Sequence, residues 1–188
     1  MQGLRVDYWQ EIEGIDLANL VFLDESGFLL GSNRPYGRSP KGTRLREAQA
    51  FYRGKKVTTV GAITVHRVLA LMTLDGSLDG AAFNVFIDHF LIPQLWAGAV
   101  VVMDNLSVHK LASIVPKIEA VGARVIDLSP YSPDFNPIEL LWSQLKSFVL
   151  GFAPTTTAML DQLLAVALRL IDPQYLRNWF AHCCYCTS

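Results

Sequence analysis

Cysteine is scarce in this 188-residue chain: Cys183, Cys184 and Cys186 are the only three, all crowded at one end. An odd, bunched set cannot frame a disulfide scaffold, and such usage is that of a cytosolic protein. Charge of one sign is lacking too. Sixteen Lys and Arg against 17 Asp and Glu leave a net charge of -1, which excludes a uniformly basic nucleic-acid binder, so a polyanion must meet a local patch. Long apolar runs are missing: the stretches at 99–103 and 163–171 are too short or interrupted to span a bilayer, and no basic run followed by an apolar one opens the sequence. Internal repeats and low-complexity tracts are absent as well. What remains is 51% hydrophobic and 18% charged, the composition of a globular chain with one domain, or one domain and a small appendage.

The few cations are unevenly spent. Eight of the 16 fall between Arg34 and Lys56, namely Arg34, Arg38, Lys41, Arg44, Arg46, Arg53, Lys55 and Lys56, with Glu47 alone opposing them. Residues 31–56 show little periodicity and read as a basic loop or insertion. A solvated loop has this composition, and so does a surface for a phosphate backbone, which needs clustered cations rather than a high overall charge.

Apolar patterning predicts a strand at Leu20 to Leu23 ending at Asp24-Glu25-Ser26-Gly27, a short second strand at Phe28 to Leu30, and two more at Val57 to Val65 and Val68 to Thr73. Helical spacing follows over Asn84 to Leu95, then a strongly apolar strand at Val100 to Met103, a helix over Lys110 to Val121 and a strand at Arg124 to Leu128. Asn136 as cap, Pro137 at the first helical position and Glu139 as a capping-box acid predict a helix over 137–149. A last helix runs from a cap at Thr155 to Thr157 through Leu170, closed by Pro173, with 173–188 as a tail. The order β-β-β-β-α-β-α-β-α-α predicts an α/β fold with a mixed sheet and helices on both faces.

Two carboxylates, Asp24 and Asp104, follow the two most apolar strands, and strand ends at one sheet edge are where ligands gather. Each also suits a plain turn. If the strands are neighbours, both charges enter one crevice and repel unless a cation or a proton lies between them. Glu139, in the first turn of the 137–149 helix, can add a third oxygen while also serving as a cap. An all-carboxylate set favours Mg2+ or Mn2+ over Zn2+. The chemistry that fits is two-metal phosphoryl transfer at a phosphodiester.

The segments Val21 to Gly27, Val102 to Lys110 (Val-Met-Asp-Asn-Leu-Ser-Val-His-Lys) and Leu128 to Lys146, with its Ser129-Pro130-Tyr131-Ser132-Pro133-Asp134-Phe135-Asn136-Pro137-Ile138-Glu139 core, resemble the three signature blocks of the DDE endonuclease domain in bacterial insertion-sequence transposases related to mariner. The resemblance spans about residues 18 to 180. It implies a ribonuclease H-like fold for a single catalytic domain over 1–188, with Asp24, Asp104 and Glu139 as catalytic residues holding two Mg2+ ions, for which Mn2+ substitutes. It implies cleavage of transposon ends and 3'-hydroxyl strand transfer into target DNA, with double-stranded DNA as partner, a homodimer on that DNA and a cytoplasmic, nucleoid-associated location. Thirty-four residues, 105 to 138, separate Asp104 from Glu139, a spacing similar to that group's.

Asn105 and His109 match the block after the second Asp as candidate DNA contacts, and a His at a helix start is as often structural. Lys146, seven positions after Glu139, joins the basic loop as a candidate phosphate contact, whereas Trp142 on the same side of the helix reads as core. Glu25 points away from Asp24 in an extended strand and stays outside the metal set. Members of the group carry an N-terminal helix-turn-helix region, and here the first catalytic strand begins by residue 20, so that region is expected to be absent, as in a split-frame product or a catalytic remnant.

Other chemistries fit less well. A ribonuclease H-like nuclease without strand transfer uses the same ions, and an inactive DNA-binding remnant keeps the same fold. A haloacid-dehalogenase-type phosphatase needs an Asp where Ser26 stands. A hydrolase built on Ser107, His109 and Asp134 lacks the G-x-S-x-G elbow. Zinc at His182, Cys183 and Cys186 has no second cluster to close the site.

Overall fold

The computed structural model describes residues 2–32, 39–43, 54–104, 112–130 and 132–185. The chain opens with α1 (Gln2–Ile12) and continues through β1 (Leu20–Leu29), β2 (Lys56–Ile63) and β3 (Val68–Asp75). Then come α2 (Gly80–Phe86), β4 (Val100–Met103), α3 (Ile114–Ala120), β5 (Arg124–Asp127), α4 (Ile138–Val149), α5 (Thr157–Arg169) and α6 (Pro173–His182). The strands form one sheet in the order β3-β2-β1-β4-β5. β1, β2 and β3 pair antiparallel, while β1, β4 and β5 pair parallel. This is the expected mixed sheet, in an α/β architecture consistent with a ribonuclease H-like fold.

Side-chain alternation along β1 assigns its two faces. Leu20, Phe22 and Phe28 join a cluster with α1, α4, α5 and α6, including Tyr8, Trp142, Leu164 and Phe180. Val21 and Leu23 join Phe83, Phe86, Ile87, Ile114 and Ile118, from α2, its continuation and α3. A strand covered on both faces reads as an unbroken apolar run, which is why Leu20 to Leu23 was legible as buried.

Three expectations are corrected. The two strands expected at 20–23 and 28–30 are one strand: Asp24 to Leu29 keep extended pairing with Gly61 to Lys56 of β2, so Asp24-Glu25-Ser26-Gly27 is not a turn. The helix expected at 84–95 starts earlier at an Asp79 cap, whose side chain accepts from the Ala82 N–H at 2.8 Å, and passes through a π turn at Ile87–Leu91. Pro173 does not merely close α5. It opens α6, because a proline in the first turn forfeits only an N–H that has no helical partner, and Asp172 caps it by accepting from the Gln174 N–H at 2.7 Å. Most of the expected tail is therefore helical.

α1 was not expected. Its apolar residues make no single stripe: Tyr8 and Ile12 are buried, whereas Leu4 and Val6 are exposed. The expected α5 is met, with Thr156 accepting from the Met159 N–H at 3.2 Å. No helix among the described residues is long and apolar enough to cross a membrane.

Candidate active site

The parallel pairing of β1 and β4 runs from Leu20 opposite Val100 to Leu23 opposite Met103. The next residue on each side is a carboxylate, Asp24 and Asp104. Alternation puts Asp24 on the face that carries Phe22, against α4, and Asp104 follows Val102 on that same face by continuation. Asp24 is thus a mid-strand residue of β1, at the point where the parallel partner ends and the antiparallel one goes on.

Asp24 is only 6% exposed. Its Oδ2 accepts from Trp142 Nε1 at 3.2 Å and from Asn136 Nδ2 at 3.4 Å. Burial pushes its pKa up from the ordinary carboxylate range to about 7, and the charges of Glu139, Glu25 and Asp104 push the same way, against a hydrogen bond from the Glu25 backbone N–H. The structure therefore brings Asp104 and Glu139 each into electrostatic range of Asp24. Asp104 is half-buried and Glu139 is exposed in the first turn of α4.

Asn136 and Trp142 have duties the sequence did not disclose. Asn136 was expected to cap α4, but Pro137 holds the cap position with no side-chain cap bond, and the Asn136 amide turns inward to Asp24. Its Oδ1 is buried with no hydrogen-bond partner among the described residues. Trp142 is core, as expected, at 1% exposure. Its N–H is spent on the carboxylate. The ring reaches across the sheet because Gly61, paired with Asp24, has no side chain: a Cβ there would stand 2.8 Å from Trp142 Cη2.

Whether this group suits a divalent cation turns on its donor chemistry. A buried carboxylate, Asp24, whose ionisation its carboxylate neighbours make costlier, forms with them a hard, anionic set that a cation would relieve, which fits Mg2+ or Mn2+. Among the described residues no three His, Cys, Asp or Glu side chains already stand in a closed metal-holding group.

The candidate DNA contacts divide. Lys41 and Lys56 are exposed, and Lys146 is half-buried on α4. Lys55 is engaged, with its Nζ 2.5 Å from Asp75 Oδ2, and this partner together with Thr157 holds the Asp75 carboxyl below its ordinary range. Lys56 pairs with Leu29, five positions (56 to 61) along β2 from the site, or about 17 Å at the usual strand rise. Arg34, Arg38, Arg44, Arg46, Arg53, Asn105 and His109 lie outside the described residues, as does Cys186. Burial lifts the Cys183 thiol to about 11, which disfavours the thiolate that zinc requires.

Comparison with solved structures shows the same fold. The chain is similar to the Mos1 transposase in its paired-end complex with the left transposon end, with a TM-score of 0.78 and 15% identity over 96% of this chain and 56% of that one. Against the Mos1 mariner paired-end complex with Mn the TM-score is 0.73, again at 15% identity, covering 96% of this chain and 56% of that one. The catalytic domain of Mos1 mariner transposase gives 0.70 at 13% identity, covering 96% of this chain and 84% of that domain. The chain thus spans little more than half the length of the transposase in those complexes. No curated protein sequence matches it. Residues 19–158, which hold the sheet, all three carboxylates and the start of α5, match the DDE superfamily endonuclease family, and the chain belongs to that family.

Proposed function

We propose that this chain is the catalytic domain of a mariner-related bacterial insertion-sequence transposase, with Asp24, Asp104 and Glu139 as its metal-holding catalytic residues and DNA as its substrate. The observation that carries the reading is Asp24 itself. It is a carboxylate buried in mid-sheet, held by two N–H donors and pressed by neighbouring carboxylates, a costly arrangement that only a cationic or protonated state relieves.

The residues present would hold Mg2+, or Mn2+ in its place, through carboxylate oxygens of Asp24, Asp104 and the exposed Glu139. Such ions, when bound, generate a nucleophile from water or a 3'-hydroxyl and neutralise the leaving oxygen at a phosphodiester. The chain's own work is orientation. Trp142 and Asn136 fix one oxygen of Asp24, and the first turn of α4 carries Glu139 beside it. Lys146, Lys41, Lys56 and the arginines of 34–53, with Asn105 and His109, are proposed to bind the phosphate backbone, and two copies are proposed to act together on paired DNA ends.

Labelled transposon-end duplex and a second target duplex, incubated with Mg2+, test the reading. Cleavage followed by joining of the new 3' end to target, abolished by Asp104→Asn, is the expected result. Cleavage without joining would make the chain a ribonuclease H-like nuclease, and DNA binding with neither product would make it an inactive remnant.

A further inference from the structure

The two ends of the described chain meet over the turn that carries Asn136 and leads to Glu139. Tyr185 OH donates to the Phe135 carbonyl at 2.8 Å, and the hydroxyls of Tyr8 and Tyr185 stand 2.6 Å apart. A phenol has one hydrogen, so with that of Tyr185 given to the carbonyl, Tyr8 must donate to Tyr185. The bonds run in series from α1 through the C-terminal segment to the backbone of Phe135. All three residues are buried, and burial raises both phenols far above their ordinary range, so the donors stay protonated.

The Phe135 ring is gripped as well. It stacks on Tyr8 at 5.8 Å between centroids, meets Trp9 edge-on at 5.1 Å, and has the Arg5 guanidinium 3.9 Å from its centroid. Arg5 also pairs with Asp134 and donates to Ser132 Oγ at 3.2 Å. The peptide immediately after Phe135 does two things at the site. The Asn136 side chain donates to Asp24, and its carbonyl accepts the Glu139 backbone N–H at 3.1 Å.

We infer that Tyr185 and Tyr8 are positioning residues: a hydrogen-bonded latch through which α1 and the C-terminal segment set Asn136 and Glu139 against Asp24. Both tyrosines lie outside residues 19–158, the part that matches the family. The inference rests on the proposed role of the three carboxylates. Its consequence is separable, because the latch constrains a backbone segment whether or not the site binds metal.

Tyr185→Phe and Tyr8→Phe remove single hydroxyls at constant ring shape, and Ile87→Val, in the opposite layer, supplies a loss of stability without touching the latch. The readouts are Mn2+ affinity by calorimetry, amide hydrogen exchange over 133–139 and the melting midpoint. Tyr185→Phe is expected to weaken Mn2+ binding roughly tenfold, as supporting residues around metal sites do, and to speed exchange in 133–139. Tyr8→Phe should act in the same direction but less, the double variant should be no worse than Tyr185→Phe alone, and Ile87→Val should move the midpoint only. Wild-type affinity and unchanged exchange in Tyr185→Phe would overturn the latch. A wild-type protein that takes up no Mn2+ overturns the reading of the site instead, and the exchange comparison alone then upholds or overturns the latch.

Discussion

The two faces of one sheet are built to different ends. Toward α2 and α3, β1, β2 and β4 present Val21, Leu23, Val60, Ala62, Val101 and Met103, packed on Phe83, Phe86 and Ile87. Toward α4, the same strands interrupt their apolar residues with Asp24, Ser26 and Thr59, and Asp24 is the one charged side chain buried among the described residues. Alternate positions of a single strand thus separate stabilisation from a liability. A buried carboxylate beside other carboxylates costs free energy at neutral pH, and its presence in a strand where valine would pack without that cost points to function.

Breaking the apolar face should show the largest loss of stability. Phe86→Ala is expected to cost about 3–5 kcal/mol, the usual penalty for emptying a packed aromatic site, read by urea unfolding, with Mn2+ affinity unchanged in the protein that remains folded.

The α4 face should respond in the opposite sense. The folded-state pKa of Asp24 lies above its unfolded value, from 3.8 to about 7, so the native state binds the extra proton in that window. Stability of the metal-free protein therefore falls as pH rises from about 4 to 7, and the full cost persists above 7. Asp24→Asn is expected to stabilise the EDTA-treated protein by up to about 4 kcal/mol at pH 8 and to change little at pH 4, measured by urea unfolding at both pH values. The same substitution should abolish cleavage.

Gly61→Ala sharpens the comparison at the contact between sheet and α4. The new Cβ would meet the Trp142 ring at 2.8 Å, and a loss of about 1–3 kcal/mol is expected from the forced shift, with weaker Mn2+ binding because the Trp142 N–H moves off Asp24. The smallest effects belong to the surface. Lys56→Ala should lower nonspecific duplex affinity and reduce the salt slope by about 1. Lys55→Ala should change the slope less, since Lys55 is already paired with Asp75. Filter binding across a salt series distinguishes the two.

What was legible in the sequence follows the same division. Elements with one strong period and a marked start, such as α4 behind Pro137 and α5 behind Thr156, were readable because local signals agree there. That Asp24 and Asp104 follow neighbouring apolar runs and that Glu139 opens α4 was readable because each sits at a fixed offset from a recognisable element. α1 was not, because its burial through Tyr8 and Ile12 depends on partners more than a hundred residues away, including Tyr185. Asp24 to Gly27 read as a turn because Asp, Ser and Gly favour turns locally, and pairing with β2 overrides that preference. The inward amide of Asn136 was hidden for the complementary reason: a capping signal and a site residue have the same sequence signature.

Anomalous diffraction from Mn2+-soaked crystals, with Asp104→Asn as control, tests the central claim most directly. The account predicts metal density bounded by Asp24, Asp104 and Glu139, reduced or lost in the control. Carboxylate oxygens that stay far apart with no metal between them, at Mn2+ concentrations that saturate other sites, would contradict it.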